Sequence, residues 1–186
     1  MRIILLFISS FLSSAELSEL LNKNQKFSSN ILISDIDTDI SSGFLSYKNG
    51  NYKYSIESPS SQVMAEIDGQ LFVQDDDFKQ VIRYNDNNSF LIKKLLSNAY
   101  EHAELSCNLK CFKLVVDDER ISNAIIVFDN EFLYEIIVEN FQNNKFLIKF
   151  ENFVHESTNI TYVTPDGYEL ITNDWFNRLK RKFRYL

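Results

Sequence analysis

Between Ile31 and Val163 turn-forming residues cut the chain into short apolar segments about 8–12 residues apart, and this rhythm restricts the fold more than any other feature. The expected strands are Ile31–Ile33, Gly43–Lys48, Tyr52–Glu57, Gln62–Ile67, Leu71–Gln74, Lys79–Tyr84, Phe112–Asp117, Asn123–Phe128, Leu133–Asn140, Lys145–Glu151 and Asn159–Val163. Early in the chain they are separated by Asp35–Asp39, Asn49-Gly50, Pro59, Asp68-Gly69 and Asp75-Asp76-Asp77. Tyr52, Tyr54 and Ile56 alternate with Lys53, Ser55 and Glu57, as in a sheet with one apolar face. Asn49-Gly50 and Asp68-Gly69 are strong hairpin signals.

Two stretches follow a helical period instead. Leu17, Leu20 and Leu21 share one face of an expected helix over Glu16–Lys26. Phe90, Leu91, Lys94 and Leu95 place a second over Ser89–Glu104, with Ser89 as its cap. The chain of 186 residues is 45% hydrophobic, with sixteen Phe and nine Tyr against four Gly and two Pro, a composition suited to one aromatic-rich core. The expected fold is α+β and mostly β, with about eleven antiparallel strands curled over two helices.

The ends differ from the body. Arg2, the apolar run Ile3–Leu12 and Ser13-Ser14-Ala15 have the order of a secretory signal peptide over residues 1–15; a buried amphipathic helix is the alternative. Residues 16–174 form the expected domain. The formal net charge is −7, yet the last twelve residues, 175–186, carry five basic groups and no acidic one, leaving residues 16–174 at −13. That acidic body disfavours nucleic acid and anionic lipid as partners. Trp175, Phe176, Leu179 and Phe183 could form an aromatic stripe beside the basic groups, either docking on a membrane or partner or packing against the domain.

Little in the chain suggests catalysis. Motifs for a nucleophile elbow, phosphate-binding loop, dinucleotide fold, zinc protease helix and EF-hand are all missing. Of the two histidines, His102 is expected on the second helix and His155 in a loop, neither beside a nucleophile. Asp75–Asp77 reads as a turn rather than a calcium site, because adjacent residues of an extended segment point to opposite faces. Cys107 and Cys111 leave three readings open: a disulfide across a tight hairpin, reduced thiols, or a metal site completed by His102 and Glu104. No cofactor and no metal is expected, and the protein is read as a non-enzyme.

A resemblance adds a specific expectation. Pro59, Gln62-Val63, Asp68-Gly69 and Leu71-Phe72, followed by Asp75, Asp77-Phe78 and Gln80-Val81, resemble the central signature of the LolA family of periplasmic lipoprotein carriers. Gly43 and Leu45 before the Tyr52/Tyr54 strand are similar to its preceding hairpin. Phe150, Asn152, Ile160, Thr164-Pro165, Gly167 and Ile171 are similar to its closing pattern. The resemblance runs over Leu17–Ile171. It implies an unclosed β-barrel with a helical lid, which takes lipoprotein acyl chains from an inner-membrane lipoprotein-releasing ABC transporter. The chains are then carried through the periplasm to an outer-membrane receptor or membrane, by a monomer. A related sensor or adaptor that binds a protein partner is the alternative. By the same resemblance Tyr52, Tyr54, Ile56, Leu71, Val73, Phe146, Ile148 and Phe150 line the acyl-chain cavity, and Phe90, Leu91, Leu95 and Leu96 belong to the lid. Lys48 stands where the family has an Arg that holds the lid, and Ile31-Leu32-Ile33 replaces its first-strand Gln. Ser46 and Gln74 stand where aromatics are common, so a narrowed or drained cavity is expected.

Overall fold

Two-residue turns set the pitch of the sheet. Asn49 and Gly50 have φ of 49° and 86°, and Asp68 and Gly69 have φ of 50° and 80°. Both pairs therefore occupy the left-handed region that a type I′ hairpin requires. They join β2 (Asp39–Lys48) to β3 (Asn51–Ser58) and β4 (Gln62–Ile67) to β5 (Gln70–Asp75). The structure, a computed structural model, describes residues 15–35, 39–84, 90–97, 100–119, 121–156 and 159–172. The expected signal peptide, except Ala15, and the basic tail lie outside them, as does the Ser89 cap.

The remaining strands are β1 (Lys26–Ser34), β6 (Gln80–Tyr84), β7 (His102–Leu105), β8 (Lys110–Leu114), β9 (Asn123–Asp129), β10 (Phe132–Glu139), β11 (Lys145–Val154) and β12 (Glu169–Thr172). They form one sheet of 12 strands in the order β12-β6-β5-β4-β3-β2-β1-β11-β10-β9-β8-β7. β1 pairs with β2 on one side and β11 on the other, which unites two meanders. The sheet stays unclosed, with β12 and β7 at its ends. Its concave face is covered by α1 (residues 15–23) and α2 (Leu91–Ser97). This is the mostly-β architecture expected from the sequence.

Each helix is held because its apolar stripe meets that face. Leu17, Leu20 and Leu21 of α1 and Ile92, Leu95 and Leu96 of α2 are buried in one cluster with Phe27, Tyr47, Tyr52, Tyr54 and Phe150. Burying such a side chain contributes about 1.5–3 kcal/mol. Asn24, fully buried, ends α1: its Nδ2 donates to Leu20 O at 2.8 Å and to Glu131 O at 2.9 Å, and its Oδ1 accepts from Leu133 N at 3.3 Å. These bonds fasten the helix terminus to the β9–β10 hairpin.

Three expectations need correction. The second helix ends at Ser97 and not at Glu104, and His102 lies in β7, because residues 102–105 pair with Leu114–Cys111 of β8. The ladder satisfies backbone groups that a longer helix would have paired internally. Asn159–Val163 joins no ladder, whereas Glu169–Thr172 forms β12, parallel to β6. The aspartate triple is a turn as read. Asp75 Oδ1 accepts the N–H of Asp77 at 3.1 Å and of Phe78 at 3.2 Å, and Lys79 takes φ 50°.

Candidate functional site

The register places a single row of large side chains across the concave face. Phe27 faces Tyr47, Tyr47 faces Tyr52, Tyr52 faces Glu66, Glu66 faces Leu71, and Leu71 faces Tyr84. The next row, two residues along each strand, contains Leu45, Tyr54, Met64, Val73 and Ile82. The Phe90 ring, just before α2, lies 5.0 Å from Tyr52 and 5.7 Å from Tyr54, centroid to centroid. Aromatic pairs at this spacing add about 0.5–1.5 kcal/mol beyond the area they bury.

Glu66 interrupts this apolar row. It is only 5% exposed and forms an ion pair with Lys93 of α2 through Oε1. Its Oε2 has no hydrogen-bond partner among the described residues, and neither do Tyr47 Oη and Tyr52 Oη beside it. Burial, and to a smaller extent the Glu66 charge, push the Tyr47 hydroxyl up to about 12. Burial first and the Glu66 charge second also push Tyr52 upward. The backbones of Gly50 and Phe90 offset part of these shifts without completing a well-formed hydrogen bond. Both tyrosines therefore remain neutral donors next to a carboxylate.

Other polar contacts fix α2. Lys94 Nζ donates to Asp118 Oδ2 at 2.9 Å, Gln25 Nε2 to Leu96 O at 2.9 Å, and Tyr100 Oη to Lys94 O at 2.8 Å. Lys48, expected to hold the lid, instead donates to Asn159 Oδ1 at 3.1 Å. Its position at the end of β2 points it across the strand toward the segment beginning at residue 159, whereas Glu66, Asp117, Asp118, Gln25 and Tyr100 make polar contacts to α2. Glu66 was missed because Val63, Ala65 and Ile67 form the apolar phase of Gln62–Ile67, so alternation alone turns Gln62, Met64 and Glu66 outward. Only the register imposed by the two I′ turns decides that Met64 and Glu66 face inward.

Tyr52, Tyr54, Leu71, Leu95, Leu96, Ile148 and Phe150 are buried in the continuous core, and Ile56, Val73, Phe90 and Leu91 pack against it partly buried. Phe146 has the phase of Ile148 and Phe150 and pairs with buried Val138. Ile92, 1% exposed, was not anticipated as a lid residue, although it lies deeper than Leu91. Ser46 and Gln74 do not drain this face. Ser46 alternates with buried Leu45 and Tyr47, and Gln74 with Val73, so both belong to the opposite, convex face.

On that convex face residues 159–172 form a strap. The Tyr162 ring stacks on Phe72 at 4.9 Å and its hydroxyl donates to Gln74 Oε1 at 3.0 Å. Asp76 gathers the rest: its Oδ1 accepts from Gln74 Nε2 at 2.6 Å and Tyr168 Oη at 2.9 Å, and its Oδ2 from Ser61 Oγ at 2.7 Å. The bonds from Gln74, Ser61 and Tyr168 hold the Asp76 carboxyl below its ordinary range, against a smaller opposing effect of burial.

Cys107 and Cys111 are joined in a disulfide, Cα to Cα 6.3 Å, across the β7–β8 loop. His102 Nδ1 lies 2.9 Å from Tyr100 O, and its ring meets Phe112 edge-on. His155 follows β11 and stacks near Phe132 and Phe153. No group of acidic, His and Cys side chains suited to a metal exists among the described residues. Surface depressions of about 380 Å³ beside α1 and about 300 Å³ beside Lys48 and Asn159 are lined mainly by charged and amide side chains. Among the described residues no helix is long and apolar enough to cross a membrane.

No protein family and no curated protein matches the chain by sequence. Solved structures of similar fold exist. One is an uncharacterized conserved protein from Thermus thermophilus, at 7% identity and TM-score 0.61, over 86% of this chain and 99% of that one. Others are the Pseudomonas aeruginosa MucA/MucB complex, at 11% identity, TM-score 0.47, 76% of this chain and 56% of that one, and a LolA superfamily protein from Nitrosomonas europaea, at 13% identity, TM-score 0.44, 77% of this chain and 94% of that one. At these identities the likeness is one of fold.

Proposed function

We propose that the chain is an exported, non-enzymatic carrier that takes up apolar chains, lipoprotein acyl chains in the first instance, on the concave face when α2 lifts. The observation that carries this reading is the lid itself. α2 has 7 residues, too few to be stable alone, so its place depends entirely on the face it covers. A ligand that offers Tyr52, Tyr54, Val73 and Leu71 an equivalent apolar surface can exchange with it. An acyl chain gains about 0.8 kcal/mol per buried methylene, enough over a full chain to replace the contacts of Phe90, Ile92, Leu95 and Leu96. The sequence resemblance and the leader-like residues 1–15 support the same reading. On it the protein works in the periplasm as a monomer, between a lipoprotein-releasing ABC transporter and an outer-membrane acceptor.

A second reading has its own support. The β5–β6 and β10–β11 turns lie at the same end of the sheet, and their tips expose Phe78 (74%) and Phe141 (67%). Exposed aromatics on one rim suit a protein partner, with the lid never opening. Native mass spectrometry of protein purified from the exporting cell's periplasm separates the two. Co-purifying lipid or acylated peptide supports the carrier. Ligand-free protein, together with correct lipoprotein sorting after depletion, would leave only the partner-binding reading.

A further inference from the structure

Apolar packing does not explain Glu66. A carboxylate at the centre of an apolar row needs a cation or donors, and an apolar chain that displaced α2 would remove Lys93 and supply neither. The site then exposed would hold three acceptor or donor oxygens, Glu66 Oε2, Tyr47 Oη and Tyr52 Oη, each buried and already without a partner among the described residues. They lie on three adjacent strands, in direct register, near the end marked by the Asn49-Gly50 and Asp68-Gly69 turns. Beside them the next row of the concave face is apolar, with Leu45, Tyr54, Met64, Val73 and Ile82, and Ile56 packs beyond it.

We propose that this face selects amphiphiles whose polar end carries N–H donors, a primary ammonium above all, and that Glu66 with Tyr47 and Tyr52 receives that end in the place Lys93 now fills. Lys93 is in this sense an internal stand-in for the ligand. Its four-carbon stem and ammonium reproduce, from α2, the chain-plus-cation that the open face would bind. The tyrosine hydroxyls stay protonated and so add no competing negative charge beside Glu66. This rests on the carrier reading and adds the chemistry of the ligand's head to it.

The test is displacement of the neutral fluorophore N-phenylnaphthylamine by four probes with one dodecyl chain: dodecylammonium, dodecanamide, methyl dodecanoate and dodecanoate. Moderate salt screens the acidic body. In the natural protein dodecylammonium should displace the fluorophore about tenfold more effectively than the ester, the amide should fall between, and the carboxylate should be weakest. Glu66→Gln should bring ammonium and amide together. Lys93→Met should sharpen the ammonium preference by removing the internal competitor. Equal or better displacement by ester or carboxylate in the natural protein overturns the proposal, and so does full ammonium preference in Glu66→Gln. If Glu66→Gln does not fold, Lys93→Met decides, and an unchanged preference there refutes it. Failure of all four probes to displace the fluorophore overturns the carrier reading itself, an outcome distinct from loss of selectivity.

Discussion

Replacing Lys93 by Met should destabilise the fold through Glu66 rather than through Lys93 itself. Met keeps most of the apolar stem, so the packing around it changes little. What is lost is the cation in contact with a carboxylate whose side chain is 7% exposed. Stranding one partner of a buried ion pair costs about 3–5 kcal/mol. The Lys93 side chain is 23% exposed, so water reaches one side of the pair and the cost drops to about 2–3 kcal/mol. Urea unfolding followed by circular dichroism would show it as a lower midpoint at constant slope. The double variant Lys93→Met/Glu66→Leu removes the stranded charge and should recover to within about 1 kcal/mol of the natural protein, giving a large favourable coupling in the cycle. Two results would refute this reasoning. One is a loss below about 0.5 kcal/mol for Lys93→Met, the value of an exposed pair. The other is a double variant no more stable than the single, which would assign the loss to packing of the lysine stem.

Other consequences follow from neighbouring parts of the sheet. Gly43→Ala places a Cβ 2.1 Å from Ser55 O and 2.9 Å from Ile56 Cα, both backbone, so β2 and β3 must separate; thermal denaturation should report a loss of about 2–3 kcal/mol or failure to fold. Asp76 has a lowered folded-state pKa, so its bonds to the strap contribute stability above its ordinary value of 3.8, and that stability is lost as pH falls through the folded value. Acid titration of the Tyr162 fluorescence environment should therefore show release of the strap only below the ordinary carboxylate range, and Asp76→Asn should abolish that transition. Reduction of the Cys107–Cys111 disulfide, which spans a sequence separation of 4, frees a very short loop and should cost at most about 2 kcal/mol in urea unfolding.

The sequence made one face of the sheet readable and left the other obscure. Asn49-Gly50 and Asp68-Gly69 have a single low-energy use, so the hairpins and the Tyr52–Tyr54–Ile56 stripe follow directly. Segments whose position depends on distant partners are harder. Residues 100–105 can satisfy a helical period, and only pairing with Cys111–Leu114 makes them a strand. Asn159–Val163 has the composition of a strand but lies across the sheet on its side chains, with Tyr162 on Phe72. Glu66 was illegible for the same reason: its inward direction is a property of register, and its partner Lys93 lies 27 residues away on another element.

The two coverings of the sheet have different consequences for motion. Along β4 and β5 the concave residues Met64, Glu66, Leu71 and Val73 meet the helices and core, while the convex Ala65 and Gln74 are buried on the side of the strap. These strands are therefore covered on both faces, and loss of α2 uncovers only one of them. The Asp76 bonds, the Tyr162–Phe72 stack and the β6–β12 ladder involve no residue of α2 and would remain if it lifted. A sheet with a free edge and an open apolar face would be prone to pair with other chains. The strap and β12 reduce that hazard at the edge nearest Glu66. On the carrier reading, the aspartates of the β5–β6 turn would act at a distance from the ligand: by fastening the convex face, they would let the concave face open without loss of the strands that form it.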